Sequence, residues 1–284
     1  VSNPIFNNSP VFGERRTRGV PTAAVGYGTA GTVAADAGAL EQMYSASAAT
    51  TRETGRMTYD DVIVKTGGLL ALLIAVAAVT WYVAPQLFWI GMVVGLVLGL
   101  VNSFKKSPSP SLIVAYAIAE GVFLGGLSYF VQNVWGSRPG QDLALQPIVL
   151  QALLATAATF VAALLLFRSG KVRVTSKGRR FFMVAITGYL VFSLVNVALM
   201  WFGGMGGWGL RSEVSVLGIP LGVIIGIFAV GLAAYALIMD FDSIKRGVEK
   251  GVPAKFAWTA AFGLVVTLVW LYVEFLRILA IVRR

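Results

Sequence analysis

The chain contains neither cysteine nor histidine. Without thiols it has no disulfide, no thiolate nucleophile and no cysteine-held metal. Without imidazole it has no histidine base, haem ligand or imidazole pH sensor. Serine–histidine catalysis and histidine zinc centres are excluded with them. Charge is also scarce: 13% of the 284 residues are Asp, Glu, Lys or Arg, against about 25% in soluble domains. The last apolar block has no lysine for a retinal, so of the intramembrane chemistries only an aspartyl protease stays formally open. An enzyme is not expected. Any response to pH near neutrality must come from carboxylates in unusual surroundings.

What the chain has is apolar length. Hydrophobic residues make up 57% of it, and the mean hydropathy is +0.78. They fall in blocks of about 18 to 25 residues, enough to cross a hydrocarbon core of about 30 Å as helices. The short alternating segments of an outer-membrane barrel are missing. The expected fold is therefore an all-α integral membrane bundle of seven spans. We place them at 62–83, 87–104, 112–131, 147–167, 181–202, 217–239 and 257–282. Residues 1–56 are rich in small and polar types, show no apolar signal-peptide core, and are expected to be a weakly ordered extension. Residues 57–284 form the membrane domain. Gly26, Gly28 and Gly31 match a dinucleotide-loop pattern, but only a weak helical patch at 32–45 follows, so a βαβ unit is not expected. Thr58 and Asp61 have capping-box spacing ahead of the first block.

The net charge is +10. In a membrane protein this points to basic cytoplasmic loops and anionic lipid headgroups rather than nucleic acid. Lys105 and Lys106 follow block two. Arg168, Lys171, Arg173, Lys177, Arg179 and Arg180 separate blocks four and five. Lys245, Arg246, Lys250 and Lys255 separate six and seven. The opposite loops hold only Arg138 and Arg211, offset by Asp142 and Glu213. The chain is thus expected to start in the cytoplasm and end outside. Arg283 and Arg284 sit awkwardly there, and would also suit a last block that fails to cross. Trp135 and Trp208 suit the outer interface and Trp258 the inner one. Glycines recur at packing intervals: Gly91, Gly95 and Gly99; Gly121 and Gly125; Gly218, Gly222 and Gly226. They imply close helix contact within the bundle or a seam between two copies.

Four acids lie in or beside the apolar blocks: Glu120, Asp240, Asp242 and Glu274. A carboxylate at the bilayer centre costs about 2.5 to 3.5 kcal/mol, and such residues usually face inward and mark a pathway or switch. Asp240 is expected inside the bundle, with its helix running on toward Gly251 and Pro253. Asp242 points elsewhere and toward water. Glu274 is deep in the last block, where Arg277, three residues on, can pair with it. Glu120 could be a hydrogen-bonding tie between helices. If Asp240 and Glu274 meet, they would share one proton and titrate as a unit. Losing that proton would leave extra negative charge that binds a cation or pushes the helices apart, with calcium one candidate because it favours carboxylate oxygens.

These residues also carry a resemblance. Met239-Asp240-Phe241-Asp242-Ser243-Ile244-Lys245 is similar to the end of the sixth helix in the Bax inhibitor-1, or transmembrane Bax inhibitor motif, family in its bacterial form. Its Asp falls on Asp240, with an Ile four residues later. Leu271-Tyr272-Val273-Glu274-Phe275-Leu276 resembles the Leu-Tyr-Leu-Asp-Phe-Ile of the seventh helix, with Glu in place of Asp. Ala119-Glu120-Gly121-Val122-Phe123-Leu124 looks like the Glu-Gly stretch of the third. The family's basic residue after helix two falls at Lys105 or Lys106. The resemblance covers about residues 62–284, and the segment between the two acids is longer than usual. It implies seven helices around a central last one, and a pH-sensitive calcium leak gated by Asp240 and Glu274. Lys105, Lys106 and Arg277 are the candidate counter-charges. Two other readings stay open. One is a non-conducting regulator that binds a membrane protease or stress-response partner. The other is a proton-coupled transporter of a small solute.

Overall fold

A computed structural model describes residues 55–135, 147–172, 174–204 and 208–283. The glycine motif at 26–31, the patch at 32–45, Arg138, Asp142, Arg173 and Arg284 lie outside them. Among the described residues seven helices are long and apolar enough to cross a membrane. They are α1 (Tyr59–Val83), α2 (Phe88–Phe104), α3 (Pro110–Trp135), α4 (Ile148–Arg168), α5 (Ser176–Phe202), α6 (Leu221–Glu249) and α7 (Ala257–Val282). The chain is a multi-pass, all-α membrane bundle.

Local chemistry sets the ends. Thr58 starts α1 with a full capping box: its hydroxyl accepts the Asp61 amide, and the Asp61 carboxylate accepts the Thr58 amide, both at 3.0 Å. Helix α5 begins five residues before its apolar block, because Thr175 caps it and the basic first turns stay helical. At the far end of α6 the backbone closes with Gly251 at φ +63°. The Val252 amide reaches back to the Gly247 carbonyl and the Gly251 amide to Val248, the bonding of a Schellman stop.

The sixth span corrects the expected start at 217. Ser215–Val216 and Ile219–Pro220 pair as a two-residue-loop hairpin. Leu217 and Gly218 both take positive φ at its tip, 53° and 80°, as a type I′ turn requires. Leu217, apolar as it is, is 98% exposed. Gly218 therefore belongs to the turn, not to a helix-packing stripe.

Helices α3 and α7 are the most buried, with 56% and 50% of their apolar windows inside, against 11% for α5. Helix α7 touches α1, α3, α4 and α6, which makes the last helix central. The glycines are spent inside this bundle. A Cβ on Gly91 would meet the Phe123 amide at 2.5 Å, one on Gly125 the Ala77 carbonyl at 2.3 Å, and one on Gly226 the Ile278 side chain at 2.4 Å. These three close approaches join α2 to α3, α3 to α1 and α6 to α7.

The two ends of the bundle are marked by cross-links. At one, residues 55–57 run beside the α6–α7 loop: the Met57 amide bonds Val252 and the Ala254 amide bonds Gly55. At the other, Arg283 donates to Gln151 at 2.8 Å, and Ile281 packs over Gly222. The end of α7 thus lies level with the starts of α4 and α6. The last helix traverses the whole bundle.

Candidate functional site

Helices α6 and α7 run antiparallel and close together, because Gly222 and Gly226 admit Ile281 and Ile278. Along that contact lie two acids shut off from solvent. Asp240 is 1% exposed and Glu274 0%. On α7, Thr267, Trp270, Glu274 and Arg277 follow one another at three- and four-residue steps, so they share a face. That face carries the polar part of an otherwise apolar helix.

The Thr267 hydroxyl donates to Asp240 Oδ2 at 2.8 Å. Seven residues further along α7, two turns or about 10 Å of rise, stands Glu274. Its Oε1 accepts from the Tyr189 hydroxyl, from Trp270 Nε1 at 3.2 Å and from Arg277 Nη1 at 3.0 Å. Arg277 Nη1 also lies 3.1 Å from Oε2. The expected pair of Glu274 with Arg277 is present.

Tyr189, from α5, is the hub. A phenol has one proton and two lone pairs. Its proton goes to Glu274, and its oxygen accepts from Arg277 Nη1 at 3.0 Å and Arg211 Nη1 at 3.4 Å. Arg211 also donates to Ser193 at 2.8 Å. Its guanidinium lies 5.3 Å from the ring centres of Tyr189 and Phe192. Arg211 belongs to a single helical turn, Leu210–Glu213, between α5 and the hairpin. The turn points inward, leaving Arg211 only 3% exposed. Trp208 does not simply mark an interface: its ring lies over Arg277, 6.0 Å from the guanidinium.

The other sequence candidates stand apart from this cluster. Asp242 is half-buried and pairs with Arg246 one turn on. Glu120 lies on the α2 side of α3, where a Cβ on Gly95 would meet its Oε1 at 2.9 Å. Tyr116, one turn back, hydrogen-bonds its side chain, while Oε2 is buried with no hydrogen bond. Lys105 and Lys106 are exposed just beyond α2. Among the described residues no three acids cluster to hold a metal ion.

The family model described as Bax inhibitor 1 like matches residues 3–284. The chain belongs to the Bax inhibitor 1 like family. The match takes in nearly all of the chain, including the N-terminal residues outside the 62–284 stretch that carries the motifs. No curated protein matches it.

Sequence reasoning missed Tyr189, Ser193 and Arg211. Thr267 and Trp270 were within reach, since they share the helical face of Glu274. Tyr189 carries no local signal, and Arg211 reads as an ordinary loop charge.

Proposed function

We propose that the protein is a non-enzymatic, pH-sensitive leak for calcium or another cation in a bacterial inner membrane, gated by Asp240 and Glu274. The observation behind this reading is the burial of two carboxylates on adjacent helices at the centre of a spanning bundle. Acids there are costly to keep unless they serve a pathway or switch. Asp240 is met at Thr267, and Glu274 stands seven residues further along α7, about 10 Å of rise away. We therefore read them as two stations in series rather than one proton-sharing dyad.

The mechanism follows from charge. An ionised carboxylate in a dry bundle attracts a cation, and a protonated one does not. A cation entering past the end of α7 meets Glu274 first and Asp240 about two turns deeper. Carboxylate oxygens suit calcium. Low pH neutralises the stations and slows passage. Glu274 faces Arg277 on its own helix, Tyr189 on α5 and Arg211 from the loop, so its charge is balanced by groups that do not titrate near neutrality. The basic residues at the ends of α2, α4 and α6 support a cytoplasmic N-terminus, an outer C-terminus and contact with anionic lipids.

The test is calcium entry into liposomes holding the purified chain, between about pH 6 and about pH 8, where a perturbed carboxylate would titrate. The native chain, Asp240→Asn and Glu274→Gln are compared. The reading expects pH-dependent flux in the native chain and loss of that dependence in both variants. A folded protein with no flux above empty liposomes would overturn it and favour the regulator reading.

A further inference from the structure

Arg211 poses a problem that stability does not solve. It sits in a connecting segment, where arginines ordinarily reach water, yet it is 3% exposed. Among the described residues its hydrogen bonds go to Tyr189 and Ser193, and none goes to a carboxylate. Glu213, two residues on in the same turn, is exposed and does not neutralise it. The Arg211 charge is offset only through space by Glu274, which is already paired with Arg277; two buried cations sharing one anion are expensive, so an apolar residue would be cheaper at this position.

The seat is nonetheless built for it. Gly209 opens the turn at φ +62°, and a Cβ there would stand 2.8 Å from Asn196 Oδ1. Asn196 fixes the approach by donating to the Trp208 carbonyl at 3.2 Å. On the other side Gly222 leaves space for the backbone: its Cβ would lie 2.7 Å from the Arg211 carbonyl and 3.0 Å from Arg211 Cβ. The Leu221 amide closes the segment onto Val214 at 2.8 Å. Two glycines and a buried asparagine thus hold the guanidinium over the phenol that contacts Glu274.

The consequence is electrostatic. Around Glu274 stand Arg277 from α7 and Arg211 from the loop, so the cluster carries surplus positive charge even with the acid ionised. A cation arriving from that end meets repulsion before it meets the carboxylate. Arginines at pore constrictions exclude cations in this way. The seat is bounded on one side by α5, which lies at the margin of the bundle, and Arg211 is tied to that helix by two side-chain hydrogen bonds and two ring faces.

We propose that Arg211 is the outer gate of the Glu274 site: seated, it bars cations, and when its turn lifts, Glu274 becomes open to them from that end. The role in conduction rests on the cation-leak reading above; the movement of the turn does not.

The absence of native cysteine allows a clean experiment. Arg211→Gln and Arg211→Cys are reconstituted beside the native chain and Leu217→Cys, which is exposed at the hairpin tip. Removing one charge from the barrier is expected to raise calcium flux about tenfold in both Arg211 variants. Modifying Arg211→Cys with a cationic methanethiosulfonate restores the low native flux, and the anionic analogue does not. A purely structural role would not respond to the sign of the reagent. Native-like flux in both Arg211 variants, with Asp240→Asn and Glu274→Gln still altering conduction, overturns the gate and leaves the leak standing. If no chain conducts, the leak reading fails and the gate is judged by labelling alone. Modification of Arg211→Cys within about tenfold of the Leu217→Cys rate supports a turn that lifts, and modification slower by orders of magnitude overturns it.

Discussion

Two tyrosines in this bundle can each lose a hydroxyl by substitution to phenylalanine, and the structure ranks the outcomes against simple burial. Tyr272 is 6% exposed and exchanges one neutral hydrogen bond of 2.6 Å with Ser128. Tyr189 is only half-buried, but its oxygen joins three charged groups. A neutral bond contributes about 1 kcal/mol and a bond to a charged group about 1.5 to 3 kcal/mol. Bonds inside membranes average lower, about 0.6 kcal/mol in measured cycles. Tyr272→Phe should therefore cost about 1 kcal/mol. Tyr189→Phe removes a donor from a buried carboxylate and an acceptor from two arginines, and should cost about 2 to 4 kcal/mol. At about 2 to 4 °C per kcal/mol, that is a fall in Tm of about 3 °C against about 6 to 12 °C. Thermal unfolding in detergent micelles, followed by near-ultraviolet circular dichroism, reads the difference. Tyr82→Phe, 85% exposed, serves as the unchanged control. If Tyr272→Phe proves the more damaging, burial governs these positions and the hub assigned to Tyr189 is wrong.

Glu274→Gln keeps the shape of the site but leaves Arg277 and Arg211 without their carboxylate. It should cost about 3 to 5 kcal/mol, well above Asp240→Asn, whose amide oxygen can still accept from Thr267, and the same unfolding assay compares them. Gly125→Ala would place a Cβ 2.3 Å from the Ala77 carbonyl and force α1 from α3. A loss of about 1 to 3 kcal/mol is expected from overpacking, while Gly188→Ala, with open space around it, should unfold at or slightly above the native temperature.

The spans were legible in the sequence because the bilayer imposes length and composition on any helix that crosses it. Their ends were less so. The first turns of α5 hold Lys177, Arg179 and Arg180, and charge there marks the end of the apolar run but not of the helix. At 217 the converse holds: apolar residues continue, but Leu217-Gly218 takes a hairpin turn. The buried acids stood out because a carboxylate in an apolar block is rare. Their partners divide by origin. Arg277, Trp270 and Thr267 share the α7 face of Glu274 and follow from helical periodicity. Tyr189 is 85 residues away from Glu274, and no period or propensity links positions on two separate helices. Arg211 was the hardest to read. Its sequence neighbourhood is that of a loop, and only the tertiary seat made by Gly209, Asn196 and Gly222 turns it inward.

That division also separates what is fixed in the site from what can move. The α7 half is held from four sides, by α1, α3, α4 and α6, and by glycine contacts too close for a side chain. The backbone that carries Glu274, Arg277 and Trp270 is therefore fixed by apolar packing. The other half, Tyr189 and Ser193 with the Arg211 turn, comes from α5 and its following loop, where burial is slight. Around Glu274 its attachment is polar, while Phe182, Ala185 and Ile186 pack against α6 further along the helix. Polar attachment between a rigid and a loose element is what a charge change can undo, since it acts on the bonds and leaves the apolar packing intact. If Glu274 gains a proton, Arg211 and Arg277 lose the charge that offsets their mutual repulsion and the Arg211 turn is pushed outward, but the neutral acid left behind holds no cation, so passage still slows at low pH. The site thus ties the protonation of a fixed carboxylate to the position of a movable cation, and it does so without histidine.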